Sequence, residues 1–518
     1  MGCLFTKIAV LSSQATRFGT SGLWSHRPRI KRKAGLVQMA LSVDTDRFGE
    51  PESFWRSDTL TTTRIIGIDL AVEAAHKAIV LDQARNAFVS QVLSFQTDPA
   101  EIDRVLEVAC AGAPDDVRLV AVLEATDTRW HTVGVYLARH AVEVYRVTGQ
   151  QVADQRRVYH RYAKSDRVDV RVLARLPLLY PERLTRLAIP SGAQLALQQA
   201  CREVARLTQQ RAAIKQRLQA IDRWAWPGLQ QVLAAEDPAR RWVRECWYDP
   251  WAVCAAGAAA LTQAWQAASP QSPAEIAWVA AFVACAQRVV SLYGHADALP
   301  PARFQATLQR EQARLDALAD QVHTLRLKVV RPLYRHLYPQ RYLETLPGVA
   351  QDSAAVYIAW VGDIQRFPSA GHFRGWSGLT PFSRQTGESQ ARGLHITQAG
   401  PDVLKATAFL NAQVARWYDP QIAAVYYTQM MDYGKHHLQA VCACATHLLD
   451  RIYVVLRQNR PYQLRDVDGT PVTKQQARRI CQARFTVPAE VRRRNNHRVR
   501  RARREEWLER REQQRSSA

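Results

Sequence analysis

RIIGIDLA, residues 64–71, decides the fold: it is an apolar run ending in a carboxylate, Asp69. Such a run, rich in β-branched residues, reads as a buried strand that presents the acid at its end. A second run of the same kind, VRLVAVLEAT (117–126), carries Glu124. Further on, KSDRVDVRVLARL (164–176) holds Asp166 and Asp169 three residues apart. On a helix that spacing puts both carboxylates on one face. Two strand-borne acids and a helical pair can converge on one point. An oxygen-only cluster of this type suits hard divalent cations. Paired metals in phosphoryl transfer clamp the attacking and leaving oxygens. Taken singly, each acid reads as a solvated surface residue; the ordered set is the signal.

Working outward from 64–71, two more strand-like runs follow, HKAIVLDQ (76–83) and FVSQVLSF (88–95), separated by short polar turns. They read as an antiparallel meander. A helical stretch near 99–110, the Glu124 strand, a helix at HTVGVYLARH (131–140) and a strand at VEVYRVTG (142–149) then alternate. The acidic helix closes the unit. Three antiparallel strands followed by βαβα describe a ribonuclease-H-like α/β domain over about residues 62–185.

The rest of the chain reads as helical. Long helices with three- and four-residue apolar steps span about 192–222 and 302–330, and Arg211 interrupts the first seam. They can pair within one chain or join two protomers, and the spacing leaves both open. Between them lies an insertion rich in tryptophan, including Trp224, Trp226, Trp242, Trp247, Trp251, Trp265 and Trp278. Aromatics interleaved with arginine can stack on unpaired bases, although core packing suits most of these. The domain reading is therefore a leader over 1–61, an α/β domain over 62–185, coiled-coil helices with their insertion over 192–331, a mostly helical domain over 340–465 and a basic tail over 474–518. The leader to residue 38 has no Asp or Glu and resembles a transit peptide or a myristoylation start. A misplaced start ahead of Met39 fits it better.

Composition narrows the function. The chain has 518 residues, with 70 Lys plus Arg against 47 Asp plus Glu, a net charge of +23. That excess calls for a polyanionic partner, nucleic acid ahead of an acidic membrane surface. No uninterrupted apolar span of membrane-crossing length is read in it. Nine cysteines form no CxxC pair, which argues against a disulfide framework or zinc ribbon and fits a reducing cytoplasm. Cys442 and Cys444, near His436, His437 and His447, are two apart on a helix and point in different directions, so a buried structural helix is the better reading. LPGV (346–349), between two short helices, looks like a helix-hairpin-helix turn whose glycine admits a phosphate to backbone amides. The hydroxyl-rich segment 373–400 has the composition of a reactive loop. From Lys474 onward, fifteen Lys/Arg face five Asp/Glu. RRRNNHRVRRARR (492–504) reads as a basic arm that orders on nucleic acid.

GIDLA, LEAT and KSDRVDVRVLA, followed in order by LPGV, GWSGLTPFSRQTGES (375–389) and GLHITQAGPDVLK (393–405), resemble the DEDD-type insertion-sequence transposases. These are the RNA-guided recombinases related to the IS-one-ten elements, and the resemblance covers about residues 62–460. It implies a RuvC-like domain, a coiled coil joining protomers in a homo-oligomer (dimer or tetramer), and a second domain supplying a serine nucleophile. It assigns the metal tetrad to Asp69, Glu124, Asp166 and Asp169, holding Mg²⁺ with Mn²⁺ as the alternative. It also implies DNA as substrate and a noncoding bridge RNA as guide, with no membrane partner, in a bacterial, nucleoid-associated setting. This chain departs from the pattern at the nucleophile, where Thr386 precedes Gly387 in place of Ser. Thr386 as working nucleophile, substitution by Ser383 or Ser389, and a catalytically crippled copy all remain open. Lys164, Arg167, Arg384 and Arg392 are the candidate phosphate contacts, Arg392 foremost for its closeness to the loop, with surface solvation an equal reading for each of the other three.

Overall fold

The structure is a computed structural model that describes residues 62–124, 129–159, 165–181, 184–269, 277–380, 385–386, 389–390, 396–397, 400–498 and 501. These residues fall into two compact units, divided between Ile189 and Pro190. The leader, Lys164, Ser383, Arg384, Gly387 and Arg392 lie outside the described residues.

The first unit is built on a seven-stranded mixed sheet. Strands β1 (Thr63–Asp69), β2 (His76–Asp82), β3 (Ala87–Phe88) and β4 (Leu93–Phe95) come first in the chain. Helix α1 (Pro99–Cys110), β5 (Arg118–Glu124), α2 (Arg129–Arg139) and β6 (Glu143–Val147) follow. Helices α3 (Gly149–Tyr159) and α4 (Asp166–Leu179) and the short β7 (Thr185–Arg186) complete it. The strand order is β3-β2-β1-β5-β6-β7, with β4 also on β2. β1 pairs antiparallel with β2 and parallel with β5. This arrangement is compatible with the ribonuclease-H-like expectation.

Three details differ from the sequence reading, the first being the short β7, which adds an antiparallel partner to β6. The expected third strand is two pieces, both paired to β2, because Ser90 Oγ takes the hydrogen bond of the Val80 N–H and interrupts the ladder. Helix α3 was not anticipated; only Val152 of its apolar residues is fully buried, too sparse a stripe to announce a helix.

Strand alternation sorts the core into two faces. Ile66, Ile68, Ala121 and Leu123 pack with Ile102, Val105, Val133 and Leu137 on one side. Ile65, Val120 and Val122 pack with Val152, Val170, Leu173 and Ala174 on the other.

In the second unit, α5 (Gly192–Ala225) starts at the cap Ser191 and runs alongside α9 (Pro301–Leu325). Ile214, Leu218, Leu308 and Leu315 share a core, and Arg217 reaches Glu311 at 2.6 Å. The two long helices thus pair within one chain, which sequence spacing left open. Past Leu325 the helix opens into a π turn (Arg326–Val330) before α10 (Arg331–Leu337). Pro332 lacks an N–H and crowds the preceding turn, which accounts for the widening.

The insertion between them contains α6 (Pro238–Cys246), α7 (Pro250–Ala268, bent at Gly257) and α8 (Ala277–Tyr293). Its tryptophans pack on one another. Trp226 stacks on Phe282 at 4.9 Å, and Trp242, Trp265 and Trp278 form an edge-to-face trio. Trp224 remains largely exposed, edge-on to Phe304.

The remaining helices are α11 (Gln351–Val361), α12 (Ala370–Ser377), α13 (Asp402–Ala415), α14 (Pro420–Met431), α15 (His437–Gln458) and α16 (Lys474–Arg484). A last helix, α17, covers 489–498. By length and composition α15 is apolar enough to cross a membrane, yet half of that window is buried inside the protein. It is the central core helix, with Cys444 fully buried in it. Gly348 in the LPGV turn (φ +83°) does not present an open face to a phosphate. A Cβ there would lie 2.4 Å from Asn411 O, so this glycine serves close packing against α13.

The basic arm is also corrected in part. Residues up to 498 form docked helix, because Asn495 Nδ2 donates to Met430 O (2.8 Å) and Asn496 Oδ1 accepts from the His437 N–H (3.1 Å). Burial, then the Arg492 and Arg416 cations, push His437 down to about 3. A histidine with a depressed folded pKa stays neutral in the native state while the unfolded chain takes up a proton. Its stabilising contribution is therefore full above about pH 6.5 and is lost as the pH falls toward 3. Thermal melts at stepped pH are expected to show falling stability below pH 6.5, and His437→Gln is expected to flatten that slope. An unchanged slope in the variant would remove His437 as the cause.

Candidate active site

Asp69 ends β1 and Glu124 ends β5. The parallel register sets Gly67 beside Val122 and Ile68 beside Leu123, so the two acids occupy neighbouring positions at the same edge of the sheet. The period of two also fixes their face. Ile65 and Val120 point toward α4, and four residues further along each strand Asp69 and Glu124 share that parity.

Helix α4 approaches the same face with unusual closeness. A Cβ on Gly67 would stand 2.2 Å from Val170 O and 2.6 Å from Ala174 N. Asp169 precedes Val170 and is 5% exposed, whereas Asp166, one turn earlier, is exposed. Topology therefore brings three of the four acids to one end of one sheet face, with Asp166 at the outer lip.

The chain leaving Asp69 is held by groups the sequence reading missed. Buried His76 accepts from the Ala71 N–H at Nδ1 (3.1 Å), which leaves the Nε2–H to donate to Thr97 Oγ1 (2.8 Å). Burial and the Arg129 cation keep this imidazole below its ordinary pKa. Arg129 Nη1 in turn donates to Ala71 O (3.1 Å). On the Glu124 side, a Cβ on Gly149 would lie 2.6 Å from Glu124 Oε1. The carboxylate therefore rests over the first residue of α3, at the positive end of that helix.

The acids are not gathered into a finished metal cage. Among the described residues, no group of three or more His, Cys, Asp or Glu side chains is positioned to hold a metal ion. Both oxygens of Asp169 instead accept from Arg156 Nη1 on α3, at 2.8 and 2.9 Å. A guanidinium nitrogen donating to both carboxylate oxygens is a charge-assisted contact, stronger than a neutral hydrogen bond. Arg156 is thus the positive partner of Asp169. By chemistry the donor set, oxygen only and acidic, still fits a hard divalent cation. Only a positively charged group within α3 reveals this partnership, and no sequence motif announced it.

The second unit holds the hydroxyl-bearing loop. Gln385–Thr386 pairs antiparallel with Ser389–Gln390, with Thr386 opposite Ser389. At the base of the segment the Thr397 N–H donates to Thr380 O (2.9 Å), and Thr446 Oγ1 donates to Leu379 O (3.1 Å). Thr386 and Ser389 are thus paired across two short strands, and Leu379, earlier in the segment, is tied to core helix α15. Of the four candidate phosphate contacts, Arg167 is described and is exposed on α4. Lys164, Arg384 and Arg392 lie outside the described residues.

Comparison with known proteins bears on both units. A transposase family profile of the DEDD, IS110 type matches residues 66–222. A second, described as Transposase IS116/IS110/IS902 family, matches residues 340–427. An uncharacterized 43.6 kDa protein of insertion element IS110 from Streptomyces coelicolor is 33% identical over 24% of this chain and 30% of its own length. A pilin gene-inverting protein from Moraxella lacunata is 29% identical over 25% of this chain and 40% of its own length. An IS116 protein from Streptomyces clavuligerus is 26% identical over 28% of this chain and 35% of its own length. The matched stretches thus span well under half of each of these relatives.

Proposed function

The chain belongs to the IS110-type family of insertion-sequence transposases, and from that premise we propose that it cuts and rejoins DNA through a covalent protein–DNA intermediate. The observation that carries the proposal is the placement of Asp69, Glu124 and Asp169 at one end of one sheet face, beside a helix seated on Gly67. The fold proposed for this domain is RuvC-like. Asp69, Glu124, Asp166 and Asp169 would hold Mg²⁺ or Mn²⁺, which when bound neutralises charge at the scissile phosphate.

Thr386 is the proposed nucleophile, with Ser383 and Ser389 as its alternatives. Its alcohol oxygen replaces a bridging oxygen of the phosphodiester and leaves a free DNA hydroxyl. The phosphoester to the protein keeps the bond energy, so a DNA hydroxyl can reverse the step and rejoin strands without a nucleoside triphosphate. The extra methyl of threonine restricts χ1 and crowds the attacking oxygen, so Thr386→Ser is expected to react faster. Lys164, Arg167, Arg384 and Arg392 are proposed to neutralise backbone phosphates. Base pairing by a bridge RNA is proposed to choose the sequence while the protein reads shape and backbone. A relative named for inverting a pilin gene fits rejoining better than simple hydrolysis. The protein is proposed to work as a homo-oligomer, a dimer or tetramer.

Trapping tests this directly. Wild-type protein with nicked element-end DNA and Mg²⁺ is expected to give an adduct that survives denaturing electrophoresis, with the DNA attached to the peptide containing Thr386. Thr386→Ala is expected to abolish it. Cut DNA with nothing attached would identify a hydrolytic RuvC-like endonuclease instead. Activity in Thr386→Ser with none in the wild type would identify a nucleic-acid-binding remnant.

A further inference from the structure

Four arginines are deeply buried among the described residues: Arg64, Arg240, Arg244 and Arg416. Three have carboxylate partners, Arg64 with Asp82 and both Arg240 and Arg244 with Asp222. Arg416, 9% exposed, makes no ion pair and no side-chain hydrogen bond among the described residues, and its Nε is buried without an acceptor. Its guanidinium instead lies over the rings of Trp417 (4.2 Å) and Tyr426 (4.5 Å). Cation–π contact offsets part of the desolvation cost, but an uncompensated buried charge remains costly.

The surroundings make the cost greater. His437, also buried, accepts or donates at Nδ1 with Tyr426 Oη at 2.8 Å, while its Nε2 has no partner. On α17, Asn495 and Asn496 make the docking hydrogen bonds. Arg492 lies three and four residues before them and so shares the docked face. Its charge acts on both Arg416 and His437. Nitrogen groups and cations converge here, and among the described residues no carboxylate answers them.

We propose that Arg416, Arg492 and His437 form a subsite for one phosphodiester group of a nucleic acid backbone, at the corner where α13, α15 and α17 meet. A planar guanidinium matches non-bridging phosphate oxygens, and a second cation beside it suits a charge of that kind. Exposed Arg493, Arg494 and Arg498 on the same helix continue the positive track beyond a single phosphate. This favours a polymer over a free anion. The inference rests on the reading of the chain as a nucleic-acid enzyme but invokes neither the acidic site nor the hydroxyl loop.

The test uses the full chain with labelled single-stranded DNA, duplex DNA and RNA, and inorganic phosphate as the small-anion probe. Arg416→Met is expected to weaken binding of at least one nucleic acid about tenfold and to reduce the slope of log K against log salt by about one. Its melting temperature without ligand is expected to hold or rise, since an unpaired buried charge is removed. Inorganic phosphate is expected to raise the melting temperature of the wild type but not of this variant. Arg492→Gln, at a half-buried position, is expected to repeat the salt-slope change and serves if Arg416→Met does not fold. A lower melting temperature with unchanged binding and slope would show that Arg416 is only a packing group, and would overturn the subsite. Wild type that binds no nucleic acid yet gains stability from phosphate would confine the subsite to free anions and overturn the nucleic-acid reading. No response to either probe would overturn both.

Discussion

Replacing Gly67 with alanine is expected to lower the stability of the first unit by about 3 kcal/mol, a fall of about 10 °C in its melting temperature. Gly67 lies inside a strand whose neighbours are fully buried. The added Cβ would meet the backbone of α4, 2.2 Å from Val170 O and 2.6 Å from Ala174 N. A backbone oxygen cannot swing aside as a side chain can, so the whole helix must shift. Because Asp166 and Asp169 ride on that helix, the variant should also lose DNA cleavage even where it still folds. Gly149→Ala is the control: its Cβ meets only the end of the Glu124 side chain. It should leave the melting temperature nearly unchanged while displacing one carboxylate. Identical melting of Gly67→Ala and wild type would mean the close seating of α4 on β1 does not exist in solution.

Asp69→Asn is expected to reduce strand cleavage about a thousandfold while the protein stays folded. Asparagine keeps the shape of the side chain and removes its charge, so loss of activity without loss of fold separates chemistry from architecture. Mg²⁺ or Mn²⁺ is expected to raise the melting temperature of the wild type and not of this variant. Cleavage at wild-type rate by Asp69→Asn would remove the acids from the reaction, whatever the fold.

The two units differ in how openly the sequence states them. β1, β2 and β5 could be read from apolar runs, because a strand buried on both faces must be apolar at nearly every position, and β6 from its β-branched and aromatic residues. The acids at the ends of β1 and β5 were legible for the same reason, as the first charge after such a run. Helix α3 was not, since a helix at the rim of a unit needs only one or two buried residues and leaves almost no periodicity. The tryptophans of the insertion illustrate a different limit. Composition is equally consistent with stacking on bases and with packing on one another, and only tertiary contacts distinguish the two.

The sequence alone determined β1, β2, β5, β6 and the long helices, the acids' places along them, the excess of positive charge and the position of Thr386. These follow from local chemistry: apolar periodicity, spacing and composition are properties of short stretches. Only the tertiary structure decided that Asp69 and Glu124 share a face, that α4 seats against Gly67, that Arg156 covers Asp169, and that Asn495 and Asn496 fasten half of the basic arm to the core. Each joins elements distant along the chain, and what selects among such pairings is close packing and the matching of buried charges, neither of which any single stretch contains.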